Sequence, residues 1–322
     1  MIVKTRSVPL SIQKLQALLR RLPKNHQKIP IIQEDLAKKM AGYRGEYSID
    51  YPLSFVPSKD YSILHDIRLP FKEYFFQIDT LILSQRFILI LEVKNIAGKL
   101  YFDQDFHQLI RTLDGKEEGF PDPILQIRRH EFQMKAWLEK HKFPELPMES
   151  LVVISNPYSQ IQISPEHKHL HKIILHREAL SSKISKIDHL HKKEILTEKL
   201  LKKIIRLLMK QHRESNSSIL DQFGIKRHEL QKGVQCMDCN HLAMQRKHGS
   251  WFCPNCYYKC KNAHIEALKD YCYLINSTIT NQEARDFLLL SSLDVTTRIL
   301  RSTATKFDGV YKSTLYHLTF ED

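Results

Sequence analysis

Two apolar runs separated by a turn-length break constrain the fold of this chain more than any other feature. Gln77-Ile78-Asp79-Thr80-Leu81-Ile82-Leu83 is followed by Ser84-Gln85-Arg86 and then by Phe87-Ile88-Leu89-Ile90-Leu91-Glu92-Val93-Lys94-Asn95. Runs this rich in Ile and Leu, with a short polar break, predict adjacent strands of a hairpin. Each strand also carries one carboxylate among hydrophobic neighbours. Side chains alternate faces along a strand, so Glu92 and Lys94 project the same way, and a two-residue Gln85-Arg86 turn places Asp79 directly opposite Glu92. Opposed Cβ atoms lie about 5 Å apart. Two carboxylates that close in an apolar sheet repel, and one takes up a proton unless a cation or Lys94 compensates them. A divalent metal ion is the simplest compensation.

An Asp on one strand and Glu-x-Lys on the next suit phosphodiester hydrolysis. Oxygen ligands from Asp79 and Glu92 hold Mg²⁺ or Mn²⁺, the ion keeps waters for the attack, and Lys94 orients the nucleophile and offsets developing charge. For Glu-x-Lys alone, an ordinary cross-strand ion pair is the plainer reading. The surrounding sequence changes the balance. Gly42-Tyr43-Arg44-Gly45-Glu46, His65-Asp66-Ile67-Arg68-Leu69-Pro70, Gln77-Ile78-Asp79, Glu92-Val93-Lys94-Asn95 with Gly98 beyond, and Asp122-Pro123-Ile124-Leu125-Gln126-Ile127-Arg128-Arg129-His130 follow one another in order. Over residues 41 to 156 the chain thereby resembles the nuclease-related domain family, a branch of the restriction-endonuclease-like superfamily with the signature Asp…Glu-x-Lys.

The resemblance implies an α/β fold, a restriction-endonuclease-like mixed sheet flanked by helices, and metal-dependent phosphodiester cutting; DNA is the first expectation for the substrate, with RNA left open by the sequence. It also implies Glu46 as a further metal ligand and Gln126 as an accessory active-site contact. The family's aromatic after Gly98 has Tyr101 and Phe102 as its nearest counterparts. Taken alone, Glu46 on a helix reads as a solvated surface carboxylate. Gln126 and His130, four apart, share a helix face, so His130 either meets the site or caps local structure beside Arg128 and Arg129.

Size and charge bound the rest. The chain has 322 residues, 42% of them hydrophobic, which is room for two or three packed domains. Lys and Arg number 49 against 36 Asp and Glu, for a net charge of +13. Residues 157–322 hold 26 of the basic residues and 17 of the acidic ones. Such an excess attracts polyanions, nucleic acid first. No window approaches the roughly 18 apolar residues of a membrane span, and no basic stretch leads into a signal-peptide core, so no membrane partner and a cytoplasmic location are expected.

Residues 1–40 read as helical, with Ser11 to Arg20 ended by Pro23 and a second helix from near Pro30. Leu151-Val152-Val153-Ile154 predicts one more buried strand. Segment 157–231 is basic; its helix is expected over Lys192 to Arg213, with Ile195, Leu196, Leu200, Ile204, Leu207 and Leu208 as the apolar stripe. His167, His169, His171, His189 and His191 lack a Cys or carboxylate at matching spacing and read as solvent-facing.

All six cysteines lie between 236 and 272. Cys236-x₂-Cys239 and Cys253-x₂-Cys256, thirteen residues apart, suit a structural Zn²⁺ ribbon over 232–262. Trp251 and Phe252 are placed to cover the ion. Cys260, Cys272, His241 and His264 are alternative ligands, although the paired spacing is complete without them. The last segment, 266–322, reads as a winged helix-turn-helix-like module. Thr280-Asn281-Gln282-Glu283 is a capping box, Ala284, Phe287 and Leu288 face inward, and Ser291-Ser292 breaks the chain before a helix over Asp294 to Arg301. Thr296, Thr297, Arg298 and Arg301 are expected on its outer, nucleic-acid-binding surface. Asp308-Gly309 predicts a hairpin between Ala304–Phe307 and Val310–Leu318.

The leading expectation is a metal-dependent nuclease served by a zinc ribbon and a DNA-binding module. Cutting both strands of a duplex requires two sites, and so a homodimer or sequential nicks. A catalytically inactive nucleic-acid-binding protein and a protein-interaction scaffold are the alternatives.

Overall fold

The computed structural model describes residues 1–57, 59–309 and 314–320. The chain forms two compact units, one of Met1–Ser7 with Lys39–Ser215, the other of Val8–Lys38 with Asn216–Asp322. Helix α1 (Leu10–Arg21) belongs to the second unit, and the boundary falls inside α2 (Ile29–Tyr47).

The first unit is a mixed α/β structure. Strands β1 (Ile2–Lys4), β2 (Ser62–Phe71), β3 (Tyr74–Leu83) and β4 (Ile88–Lys94) belong to its main sheet. Strands β5 (Lys99–Asp103), β6 (Gln108–Leu113) and β7 (Lys116–Pro121) then leave it before β8 (Met148–Ile154), followed by β9 (Gln160–Ile163) and β10 (Ile174–His176). The main sheet runs β1-β2-β3-β4-β8-β10, and the smaller one runs β7-β6-β5-β9. Within the main sheet β2, β3 and β4 are antiparallel, whereas β1, β8 and β10 pair in parallel with their neighbours. The helices are α3 (Asp50–Leu53), α4 (Pro123–Lys140), α5 (Leu180–Leu190) and α6 (Glu198–Gln211).

The central strands read as unbroken apolar runs because both faces of the sheet are covered. Leu81, Leu83, Ile88 and Ile90 pack with Met134, Trp137 and Leu138 of α4 and Leu201, Ile204 and Leu208 of α6. Ile82, Leu89, Leu91 and Val93 pack on the other face with Ile49, Leu53, Leu180 and Ile184. The expected start of the basic helix is displaced. Thr197 caps α6 through Leu200 N–H, and the preceding Ile195 and Leu196 amides both donate to the Gln85 carbonyl at 2.9 Å, so that stretch joins the hairpin turn instead. Strand β1 is a second departure from the helical expectation for residues 1–40.

In the second unit, α1 and α7 (Ile219–Phe223) share a core with Leu230 and Leu274. Strands β11 (Gln245–Lys247), β12 (Ser250–Phe252) and β13 (Lys259–Cys260) form a small antiparallel sheet. Then come α8 (Ala263–Leu274), β14 (Thr278–Thr280), α9 (Asn281–Leu288), α10 (Leu293–Thr303), β15 (Lys306–Asp308) and β16 (Leu315–His317). β16 lies between β14 and β15, antiparallel to both. The Thr280 capping box is formed, and the Ser292 hydroxyl caps α10. Part of the expected second hairpin strand, 310–313, lies outside the described residues. Among the described residues no helix is long and apolar enough to cross a membrane.

Candidate active site

The hairpin turns as its sequence dictates. Ser84 N–H donates to the Phe87 carbonyl at 3.1 Å, leaving Gln85-Arg86 as the two turn residues. The β3–β4 ladder then runs from Leu83↔Ile88 to Thr80↔Leu91. Continued by one residue, that register faces Asp79 with Glu92. There the ladder stops, and the Asp79 carboxylate accepts the Val93 N–H at 2.9 Å. Asp79 is half-buried, while Glu92 is 3% exposed.

Helix α4 brings the next groups. Asp122 caps it by accepting the Ile124 N–H at 2.8 Å, with Pro123 at its first position, an arrangement favourable to helix initiation. Gln126 and His130, one turn apart on α4, both reach the Glu92–Lys94 face. The Lys94 ammonium donates to Glu92 Oε1 at 2.7 Å and to Gln126 Oε1 at 3.1 Å. His130 Nδ1 stands 3.8 Å from Glu92 Oε2. Burial, then Arg129 and Lys94, push the His130 imidazolium down to about 4, so it is neutral at pH 7.

Glu46 arrives from the last turns of α2. Two motif residues fix that helix: Asn95 Nδ2 donates to the Ala41 carbonyl at 2.7 Å, and a Cβ on Gly45 would stand 2.4 Å from Asn95 Cβ. Glycine is therefore needed at 45 for close approach.

Sequence reasoning missed the group that holds Glu46. Arg6, just past β1, has a side chain that is 1% exposed and donates Nη1 to Glu46 Oε2 at 2.8 Å. Its Nη2 lies 2.9 Å from His65 Nδ1, 3.1 Å from Thr80 Oγ1 and 3.6 Å from Asp50 Oδ1, and its Nη1 lies 3.8 Å from Asp66 Oδ2. No local pattern signals this, because parallel pairing of β1 with β2 delivers Arg6 from far away in sequence.

The electrostatics of these carboxylates are unfavourable as they stand. Burial, then Glu92 and Glu46, raise Asp79 well above the ordinary carboxylate range. Burial, Asp66 and Glu92 raise Glu46 to about 7, against the opposing pull of Arg6. Burial raises Glu92 even though Lys94 pulls it down. Glu92 Oε2 is buried with no hydrogen-bond partner. A hard cation would relieve all three groups.

The four paired cysteines form a second centre. Among the described residues they alone bring three or more Cys, His, Asp or Glu ligand atoms within 4.8 Å of one another. Cys236 and Cys256 sulfurs are 3.6 Å apart, and those of Cys239 and Cys253 are 3.5 Å apart. A tetrahedral Zn–S₄ centre has sulfur–sulfur edges of about 3.8 Å, from a bond of about 2.3 Å, so the cluster could hold zinc.

The two knuckles share one backbone scheme. Cys236 N–H donates to the His241 carbonyl and Cys253 N–H to that of Tyr258, while the Asn240 and Tyr257 amides return to the Cys236 and Cys253 carbonyls. Asn240 and Tyr257 both have positive φ. Trp251, fully buried, packs with Cys236 and Cys253. His264 Nδ1 instead accepts the Trp251 indole N–H at 3.0 Å.

Of the residues expected on the outer surface of α10, Arg298 and Arg301 are exposed and Thr297 is half-buried. Thr296 is a correction. It is fully buried and its hydroxyl donates to the Ser292 carbonyl at 2.8 Å, since it shares the inward face with Ile299 and Leu300.

Residues 41–155 match the family model described as the nuclease-related domain. The matched segment contains Glu46, Asp79, Glu92, Lys94 and Gln126. No curated protein matches the chain. Among solved structures, protein VC1899 from Vibrio cholerae is similar at 10% identity with a TM-score of 0.26, over 58% of this chain and 58% of that one. The chain thus spans less than two thirds of that structure, a likeness too slight to bear on activity.

Proposed function

We propose that the chain is a metal-dependent nuclease that hydrolyses phosphodiester bonds of DNA. The observation that carries this reading is the incompletely compensated set of carboxylates Asp79, Glu92 and Glu46 within the segment that matches the nuclease-related domain. Asp79 and Glu92 would hold Mg²⁺ or Mn²⁺, with Glu46 as a further ligand. Mg²⁺ is commonly bound through one or two carboxylates and several waters, which suits a site with no three-carboxylate cage. The bound ion would supply an activated water and neutralise charge on the phosphoryl oxygens.

Glu92 divides its oxygens: Oε1 receives Lys94, leaving Oε2 for a cation. Gln126 steadies the Lys94 ammonium, which is 24% exposed and so within reach of a phosphate oxygen or an attacking water. His130, neutral at pH 7, can border Glu92 without competing for charge. The four cysteines would hold structural zinc over 232–262. The element order from α8 through β16 is that of a winged helix-turn-helix, in which Thr297, Arg298 and Arg301 would meet nucleic acid. Double-strand cutting would call for a homodimer or successive nicks.

A catalytically inactive nucleic-acid-binding protein is the second reading, favoured by the convergence of ligand atoms at the cysteines alone. Cleavage of supercoiled plasmid, linear duplex, single-stranded DNA and RNA with Mg²⁺, Mn²⁺ or neither separates the two. Metal-dependent cutting that Glu92→Ala lacks supports the nuclease. Binding without cutting by either protein supports the alternative.

A further inference from the structure

A cleft of about 480 Å³ in the second unit is lined by Arg246, His248, Lys261 and Arg298, with no carboxylate among its lining residues. The four come from three places: the β11–β12 hairpin, the segment leading into α8, and α10. His248 and Gly249 form the hairpin turn with φ of 44° and 80°, as a two-residue type I′ turn requires. Arg246 is held in place. Its Nη1 donates to the Lys261 carbonyl at 3.0 Å, and its guanidinium carbon lies 5.4 Å from the centroid of the Trp251 ring. Trp251 is in turn fixed by His264.

Burial, and then the like charge of Arg298 on α10, push the anchored Arg246 guanidinium down. Among the described residues Arg298 makes no ion pair, and neither do Lys261, His248 or Arg246. Two arginines set against each other without an acid are unfavourable until an anion enters, and a phosphate matches the donor fork of each.

The neighbouring flank of α10 extends the pattern. Thr297 and Arg301 line a second groove, of about 890 Å³, with Arg285 and Asn281 and with one carboxylate, Asp294. Arg298 and Arg301, exposed one turn apart on α10, fit a polymer of phosphates rather than a single ion.

We propose that the cleft is a phosphodiester-binding site in which Arg246, Lys261 and Arg298, with His248, hold backbone phosphates of a nucleic-acid strand. The cysteine-rich hairpin and the C-terminal helices then bind one strand jointly. The proposal takes its ligand class from the nucleic-acid reading above but does not require that the chain cut.

The test is fluorescence anisotropy of the full chain, zinc content verified, with a short labelled duplex and the matching single-stranded DNA and RNA. No divalent ion or chelator is added, and KCl runs from about 50 to about 200 mM. Arg246→Ala/Arg298→Ala should weaken binding at least about tenfold and reduce the slope of log affinity against log salt by about 2 on duplex, near 0.9 per lost phosphate contact. Arg298→Lys should keep the slope. Because Arg246 packs on Trp251, Lys261→Ala/Arg298→Ala, at two exposed positions, decides the matter if the first variant misfolds. An unchanged affinity and slope in a folded variant overturns the proposal. So does equal competition by polyglutamate, or failure of the native chain to bind any of the three nucleic acids. A changed slope in a chain that never cuts retains the cleft and rejects the nuclease, and an unchanged slope in a chain that cuts does the reverse.

Discussion

Each unit buries an arginine beside acid, one carboxylate in the second unit and several in the first, and the two clusters differ in how completely they are paired. In the second unit Asp270, 1% exposed, accepts Arg20 Nη2 on Oδ1 at 2.6 Å and Arg21 Nε on Oδ2 at 2.7 Å, and Arg21 Nη1 donates to the Gly233 carbonyl at 2.6 Å. Both Asp270 oxygens are thus engaged by guanidinium donors. In the first unit Glu46, Asp50, Asp66, Asp79 and Glu92 are compensated mainly by Arg6, Lys4 and Lys94, and burial together with the neighbouring Glu92 and Glu46 holds Asp79 well above the ordinary carboxylate range. Arg6 Nε, Asp50 Oδ1 and Glu92 Oε2 have no hydrogen-bond partner. A saturated pair holds a fold together, whereas an unsaturated, like-charged cluster costs stability and is retained where a ligand supplies the missing charge.

Removing a carboxylate should therefore act oppositely in the two places. Asp79→Ala or Glu92→Ala should reduce cutting about a thousandfold or more, given that a metal ion supplies several kcal/mol. The same variants should melt no lower than the native chain in metal-free buffer, because repulsion is relieved. Retained cutting in either variant would remove the assigned ligands. Asp270→Ala should instead lower stability by about 3–5 kcal/mol, since it strands a buried guanidinium. A melting temperature unmoved by Asp270→Ala would abolish the contrast.

How much of this was legible in the sequence depends on the range of the interactions involved. The turn at Gln85-Arg86, the alternation that puts Glu92 and Lys94 on one face, the paired cysteine knuckles and the Thr280 cap are all set within a few residues, and all appear as read. Thr296 was also legible, since positions 296, 299 and 300 share one helical face; its hydroxyl suggested an outer role that its spacing does not support. Arg6 was not legible. Its place depends on a parallel strand pairing that joins residues about sixty apart, and neither β1 nor its partner encodes that neighbour locally. The displaced start of α6 has the same origin, because the Gln85 carbonyl competes for the Ile195 and Leu196 amides.

A pH series sharpens the comparison. Glu46 has its folded value raised to about 7 from an ordinary 4.5. A raised carboxylate stabilises the fold while protonated, so this contribution is full below about 4.5 and is lost as pH rises through about 7. Cation binding needs the charged form, so the stabilisation conferred by Mn²⁺ should grow across the same interval. Melting curves of the native chain and Glu46→Gln, with and without Mn²⁺, check both signs. Glu46→Gln should flatten the metal-free profile, and an identical profile in the two proteins would show that Glu46 does not titrate there.

The smallest expected effect separates position from charge. Gly42 and Gly45 both lie in α2, in the motif that ends at Glu46, yet a Cβ at 42 meets nothing within 4 Å whereas one at 45 would meet Asn95 Cβ at 2.4 Å and Ser155 Oγ at 2.7 Å. Gly42→Ala should be neutral or stabilising by up to about 1 kcal/mol, from helix propensity alone. Gly45→Ala must push α2 off the ends of β4 and β8, costing about 1–3 kcal/mol as an overpacked contact does. The same shift carries Glu46 away from Asp79 and Glu92 without altering any charge. Cutting by Gly45→Ala should fall about tenfold or more, consistent with the sensitivity of catalysis to displacements of about 1 Å, while the metal-free pH profile retains its shape. Full activity in a folded Gly45→Ala protein would mean that Glu46 need not be held where α2 places it, and the site would then reduce to Asp79, Glu92 and Lys94.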